Sequence, residues 1–70
     1  MNASRIEQVA HSEFEYAWYA YSGNMVVSVG NSCFSSKLTA GDIVVLSSFP
    51  GKRFEVLRVL DNDTRILVEV

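Results

Sequence analysis

The chain has 70 residues and a formal net charge of −2 at pH 7, from six basic and eight acidic side chains. This charge disfavours a dedicated binder of nucleic acid or of anionic membranes. Its single cysteine, Cys33, has no partner for an intramolecular disulfide, which excludes a disulfide-stapled secreted scaffold. The length predicts one domain over residues 1–70, so small that part of its apolar surface is expected to meet another chain.

The first 21 residues fit two interpretations. Ser4 and Glu7 match a capping box, which favours a short helix over about 4–11. Over 13–21, residues that are mostly aromatic (Phe14, Tyr16, Trp18 and Ala20) alternate with Glu13, Glu15, Ala17 and Tyr19. This pattern favours a strand over 13–21. The apolar spacing also fits one long helix over 4–21. The first interpretation, which we favour, predicts a mainly β fold, a small five-stranded barrel with a short N-terminal helix. The second predicts an α+β fold with one long N-terminal helix on a four-stranded antiparallel sheet.

The middle of the chain combines a clear turn with a polar stretch. Residues 22–24, Ser-Gly-Asn, predict a hairpin turn that leads into a strand over 25–29. Residues 30–40 are polar and rich in serine, and they predict the longest irregular stretch. A short extra strand around 33–37 is an equally good interpretation. Loops of this length carry function more often than short turns do.

The last thirty residues, 41–70, predict a β-meander. Three runs rich in valine, isoleucine and leucine are separated by two stretches of turn-forming residues. In the first turn, Pro50 presets its φ and Gly51 accepts the positive φ of a type II turn. In the second turn, 61–64, aspartate and asparagine side chains can bond their own backbone. Apolar residues on both faces of these strands fit a small closed barrel better than an open sheet.

This segment resembles KOW-type and other SH3-like small barrels. The residues that carry the resemblance are Gly41, Asp42, Val44 and Leu46, the basic loop Gly51-Lys52-Arg53, and Val56 and Val59. The resemblance covers 41–70 only and implies an SH3-like barrel. Phe54 and Glu55 stand where the KOW pattern usually has a further glycine. The nucleic-acid-binding members of the family are typically basic, unlike this chain.

An aromatic cluster is the first candidate binding surface. On a strand, Phe14, Tyr16 and Trp18 would point inward, and Tyr19 and Tyr21 outward. Aromatic side chains with one polar tip are enriched at protein interfaces and line the peptide grooves of SH3-like modules. We therefore predict that Tyr16, Trp18, Tyr19 and Tyr21 take part in binding a protein partner or a second copy of the chain.

A basic group is the second candidate surface. Lys52, Arg53 and Arg58 surround Phe54 in the sequence, and cations beside an aromatic ring can grip single-stranded nucleic acid. Glu55 lies among them and can pair with Arg58, which weakens the group. Binding of nucleic acid is therefore the disfavoured alternative.

The sequence offers little for catalysis or for a metal. Cys33 and His11 lack the flanking residues expected of a nucleophile and its base, and one histidine with one cysteine cannot build the usual transition-metal sites. We expect no enzymatic activity, no metal and no cofactor. No apolar run approaches the length of a membrane span, and residues 1–5 do not resemble a signal peptide. These features predict a cytoplasmic protein that does not bind membranes.

The predicted function is therefore a non-enzymatic module for protein–protein interaction or assembly. The chain is expected to form a homo-oligomer, with Tyr19, Tyr21 and the terminal strand 65–70 near the contact. That strand is predicted to supply a free edge for pairing. The alternative function is a weak nucleic-acid-binding barrel that uses the loop at Lys52 and Arg53.

Overall fold

The computed structural model describes residues 5–70, which form a small closed barrel of β-strands. The strands are β1 Arg5–Val9, β2 Glu15–Ser22, β3 Met25–Phe34, β4 Ile43–Val45, β5 Phe54–Asp61 and β6 Thr64–Glu69. Their order around the barrel is β1-β3-β2-β6-β5-β4, and β4 pairs with β1 to close it. The β1–β4 and β2–β6 pairs are parallel, and the other pairs are antiparallel.

The prediction of a mainly β, small closed barrel is confirmed, but the prediction of a short N-terminal helix and five strands is wrong. Residues 5–9 form a strand instead, which brings the number of strands to six, and the part of the chain described here contains no helix. The alternative of one long helix over 4–21 is wrong for the same reason, since β2 covers 15–22. Ser4 of the predicted capping box lies outside the described residues.

Long-range pairing explains why the N-terminal segment is a strand. Arg5, Ile6 and Glu7 pair with Ile43, Val44 and Val45 of β4, and the end of β1 pairs with the end of β3. Ile6 is buried in the core by this arrangement. Backbone bonds and burial gained from residues distant in sequence outweigh a local helix signal of about 1 kcal/mol.

The meander in the second half is confirmed, together with both of its turns. β5 pairs antiparallel with β4 and with β6. In the first turn the Lys52 backbone N–H donates to the Phe49 carbonyl (3.1 Å), and Gly51 has a φ of 85°. This is the predicted type II turn. In the second turn the Asp63 N–H donates to Asp61 Oδ1 (2.8 Å). An aspartate side chain thus accepts a hydrogen bond from the backbone of its own turn, as expected.

The predicted irregular stretch over 30–40 is shorter in the structure. β3 continues to Phe34, and the irregular segment covers 35–42. The extension forms because β2 pairs with β3 as far as Cys33, and the Phe34 N–H donates to the Phe14 carbonyl (2.8 Å). Pairing with β2 thus holds the polar residues after Gly30 in a strand.

The core lies inside the barrel and draws on all six strands and on the segment between β3 and β4. Its buried residues are Ile6, Tyr16, Trp18, Ala20, Phe34, Leu38, Val44, Leu46, Phe54, Val56 and Leu67. Phe14 and Phe49 pack against them. The predicted inward direction of Phe14, Tyr16 and Trp18 is therefore confirmed.

Arg65 is the one charged residue within this core among the described residues, and only 2% of it is exposed. Its Nε–H donates to the Leu38 carbonyl (2.7 Å), and Nη1 donates to the Asp61 carbonyl (2.9 Å). The guanidinium carbon lies 4.1 Å from the centroid of the Tyr16 ring. Hydrogen bonds and an aromatic face thus replace the water that this charge loses on burial.

Trp18 fits inside the barrel because the residue opposite it on β3 is glycine. A Cβ atom on Gly30 would lie 2.5 Å from Trp18 Cζ2, closer than any packed carbon pair. The indole Nε1–H donates to Ser32 Oγ (3.2 Å), so the ring is also fixed by a hydrogen bond. The sequence pair Trp18 and Gly30 therefore acts as one packing unit.

We expect Gly30→Ala to destabilise the protein by about 1–3 kcal/mol, because the new methyl group overpacks the indole ring. Urea unfolding followed by circular dichroism measures this change in the free energy of unfolding. The matched control is the same substitution in a Trp18→Leu background, where the smaller side chain leaves room and Ala should cost less. Equal costs in the two backgrounds would contradict the packing explanation.

Candidate interaction surface and basic cluster

The outward-facing residues of three neighbouring strands form an apolar surface. Tyr16 and Trp18 of β2 point into the core, so Tyr19 and Tyr21 point outward on the alternating strand. On β6, Arg65 and Leu67 point inward, which leaves the residues between and after them outside. We call the resulting surface the outer apolar face, and it consists of Tyr19, Tyr21, Val26, Val29, Ile66 and Val68.

The strand register places these side chains side by side. Tyr19 lies between Val29 of β3 and Ile66 of β6. Directly opposite residues on one face of a sheet have Cβ atoms about 4.5–5.5 Å apart. The exposed fractions of Tyr19 and Val29 are 43% and 60%. This row is therefore a continuous apolar strip in contact with solvent.

A second row runs parallel to the first, and charged residues border both rows. Tyr21 lies between Val26 and Val68. On the neighbouring strand β5, Glu55 pairs with Val68, and Arg58 pairs with Ile66 of the first row. The face thus has an apolar centre and a polar border on the side of β5.

The four aromatic residues predicted as binding residues divide between the core and this face. Tyr16 and Trp18 are buried, so they support the barrel and offer little area to a partner. Tyr19 and Tyr21 lie on the outer apolar face. The contribution of β3, through Val26 and Val29, was missed by sequence reasoning. The signal that could have found it is the absence of charged residues over 16–36.

Within residues 5–70, one edge of β3 has no partner strand over most of its length. β2 pairs with β3 from Met25 to Cys33, whereas β1, on the other side, pairs only with Cys33 and Phe34. We call the remaining segment, Met25–Ser32, the β3 edge. Met25 has 67% of its surface exposed.

The prediction that the terminal strand 65–70 supplies a free edge is wrong. β6 lies between β2 and β5 and pairs with both. The sequence suggested an edge because the strand is the last one in the chain. The parallel β2–β6 pair, between residues distant in sequence, places it in the middle of the sheet.

The basic residues Lys52 and Arg53 lie outside the outer apolar face. A third cation, Arg5, lies beside them, although the sequence did not suggest this. Arg5, Lys52 and Arg53 line an open depression of about 270 Å³ between β1 and the turn before β5. Arg5 reaches this place because it pairs with Ile43 of β4. Arg58 does not line the depression.

Two features make this cluster a weaker binding site for nucleic acid. Phe54 is completely buried, so it cannot stack on a base as the sequence suggested. Lys52 Nζ lies 3.1 Å from Glu69 Oε2, the one ion pair that the structure records among residues 5–70. This hydrogen bond from the Lys52 ammonium holds the pKa of Glu69 below its ordinary value. One of the three cations is therefore already paired.

Gln8 joins three parts of the barrel beside Cys33. Its Nε2 donates to Ser32 Oγ (2.9 Å), and its Oε1 accepts from Ser47 Oγ (2.8 Å). These groups and Cys33 line an open depression of about 490 Å³, which does not include His11. The hydrogen bonds tie β1 to β3 and to the turn after β4, which is a structural role.

Residues 5–70 contain neither a metal-ligand cluster nor a membrane-spanning helix. No group of three or more histidine, cysteine, aspartate or glutamate side chains is arranged to hold a metal ion. The same residues include no helix of the length and apolar character needed to cross a membrane.

The comparisons with known proteins found no relative of this chain. No family model, curated protein or solved structure matches it. The fold and its surfaces therefore define the class of protein, a small closed β-barrel with an apolar outer face.

We expect Lys52→Gln to raise the pKa of Glu69, because the substitution removes the ammonium that stabilises the carboxylate. Carboxyl-detected NMR titration of both proteins measures this shift. A lowered folded-state pKa contributes stability above the pH at which a free glutamate ionises, and this contribution is lost as the pH falls through the lowered pKa. The stability difference between the two proteins should therefore disappear in acid. Lys37→Gln is the control, and an equal shift of Glu69 there would contradict the assignment.

Proposed function

We propose that this chain is a non-enzymatic interaction module that binds another protein chain through the outer apolar face. The observation that carries the proposal is the contiguity of outward-facing apolar side chains across β3, β2 and β6, exposed on β3 and at Tyr19 and half-buried on β6, with Tyr19 at the centre. Small monomeric proteins rarely expose large contiguous apolar patches without a binding role. A tyrosine-containing apolar centre with a charged border, here Arg58 and Glu55, is the usual composition of a protein interface.

We further propose that the barrel is of the SH3-like type. The resemblance in the second half rests on Val44, Leu46 and Val56, and these residues lie in the core around β4 and β5. The antiparallel arrangement of β4, β5 and β6 supports the same assignment.

The arrangement of the reactive side chains supports a non-enzymatic role. His11 is exposed just after β1, and Cys33 is half-buried on β3. Among the hydrogen bonds of residues 5–70 none joins the two side chains. A nucleophile needs its base within about 2.6–3.2 Å.

Site-specific photocrosslinking tests the interaction function directly. A photoreactive benzoylphenylalanine in place of Tyr19 should give covalent adducts with a protein chain in the cells that make this protein. The same residue in place of Ser48, exposed in the turn after β4, is the matched control. Tyr19→Asp should weaken the interaction by about 2 kcal/mol, or about 30-fold, because it buries a charge in an apolar contact. Equal adduct yields at the two positions would overturn the proposal.

A second candidate function, binding of single-stranded nucleic acid, is favoured by one observation. Arg5, which is remote in sequence, is brought beside Lys52 and Arg53 around one depression. Three phosphate contacts predict a slope of about −2 for the logarithm of the binding constant against the logarithm of the salt concentration. Any binding should therefore be weak and should fall about 20-fold between about 50 and 200 mM salt.

Fluorescence anisotropy of a labelled single-stranded oligonucleotide measures this slope. Arg5→Gln should make the slope less steep by about 0.7, because one phosphate contact is lost. Lys37→Gln, on the segment between β3 and β4, is the control and should leave it unchanged. Sub-micromolar binding at physiological salt that is lost on Lys52→Ala with Arg53→Ala would instead make nucleic-acid binding the leading function.

A further inference from the structure

We propose that the chain bound by this module is a second copy of itself, added as an antiparallel strand to the β3 edge. This inference rests on the proposed interaction function and names its partner. In the resulting dimer the two β3 strands lie side by side, and the two sheets join into one continuous sheet.

The first observation is the free backbone of the β3 edge. Among the described residues no strand other than β2 pairs with Met25–Ser32, and no turn or loop backbone bonds to it. Alternate N–H and C=O groups along this edge therefore have no backbone partner in the part of the chain that the structure describes. Such a row is a template for another strand. β1 occupies the same side from Cys33 onward, so an added strand can run along eight residues.

The second observation explains why the partner is a copy of this chain. A two-fold axis brings a segment opposite itself, so any charge on it would meet an equal charge on the copy. Residues 16–36 contain no charged side chain and no proline, the two commonest protections of an edge strand. The β3 edge can therefore face its own copy without repulsion, while Met25 and Val29 supply exposed apolar area.

A second unpaired strand edge among residues 5–70 lies on β5, and it is better protected against strand addition than the β3 edge. β5 is unpaired on one side over 57–61, but its register with β6 shifts at Leu57 and again at Leu60. It also carries Arg58. The β3 edge has one such shift, at Val27. Because bulges and charges disfavour strand addition, pairing of β3 with β3 is preferred over pairing of β3 with β5. Pairing of like edges closes at a dimer, whereas β3–β5 pairing would extend into an open chain or a ring.

The paired edge also extends the outer apolar face across the dimer. Val26 and Val29 lie on this face and at the β3 edge at the same time. In the dimer they become neighbours of their copies near the two-fold axis. The apolar rows centred on Tyr19 and Tyr21 then run from one protomer to its partner, and the side chains of the exposed valines pack beside their copies across the new strand pair.

Amide hydrogen exchange of the wild-type protein, measured by NMR together with sedimentation, tests the proposal. At about 100 µM we expect a mass near twice 7.8 kDa and slow exchange of alternate amides that face the free side of Met25–Ser32. On dilution to the monomer these amides should exchange fast, since no backbone group among residues 5–70 accepts their hydrogen bonds. The amides on the free side of 57–61 are the internal control and should exchange fast at both concentrations.

Two matched variants test the role of the edge. Val29→Lys places two ammonium groups near the two-fold axis and should lower the association constant by about 30-fold. Leu60→Lys, at the β5 edge with a similar exposed fraction of 53%, should leave it unchanged. Circular dichroism shows whether each variant is folded, and the exchange measurement on the wild-type protein does not depend on them.

The outcomes separate this inference from the proposed function. A dimer whose Met25–Ser32 amides all exchange as in the monomer would overturn edge pairing, and the interaction function would remain. A monomer at about 100 µM with crosslinks from Tyr19 to a different protein would overturn the identity of the partner only. A monomer without crosslinks at Tyr19 would overturn both.

Discussion

The burial of Arg65 is the constraint on which the arrangement of the barrel depends. A charged group inside a protein is costly by several kcal/mol unless its hydrogen bonds are replaced. Here the replacements are carbonyl groups of Leu38 and Asp61 and the ring face of Tyr16. Burial of Arg65 therefore fixes the relative positions of three elements: the segment between β3 and β4, the β5–β6 turn, and β2. No carboxylate pairs with this arginine among the salt bridges of the described residues.

The same constraint creates the candidate interaction surface. Because Arg65 and Leu67 point inward, the alternating residues Ile66 and Val68 must point outward. The parallel pairing of β2 with β6 then sets them beside outward-facing tyrosines. The requirements of the core thus place two apolar β6 side chains on the outer side of the barrel, where both are half-buried. A strand that buries its arginine and leaves its isoleucine half-buried on the outer side gains from a partner that covers that side.

The polar and apolar surfaces of the molecule are segregated, which bears on the choice between the two candidate functions. The charge-free segment 16–36 builds β3 and most of β2. The cations Arg5, Lys52 and Arg53 collect around one depression beside β1 and the turn before β5. Because Lys52 is paired with Glu69, the basic cluster is weaker than its composition suggests.

The sequence by itself determined what depends on near neighbours. The turns at Pro50-Gly51 and 61–64, the mainly β barrel, and the placement of Tyr19 on the face opposite Tyr16 and Trp18 follow from local turn chemistry and from alternation along one strand. The tertiary structure alone decided that 5–9 is a strand, that β6 is central, that the β3 edge is free, and that Arg65 is inside. Alternation separates the two faces of a strand without saying which one is buried, and pairing between distant strands has no local signature. Both are decided when the barrel closes, because only then does each face and each edge meet either another strand or water.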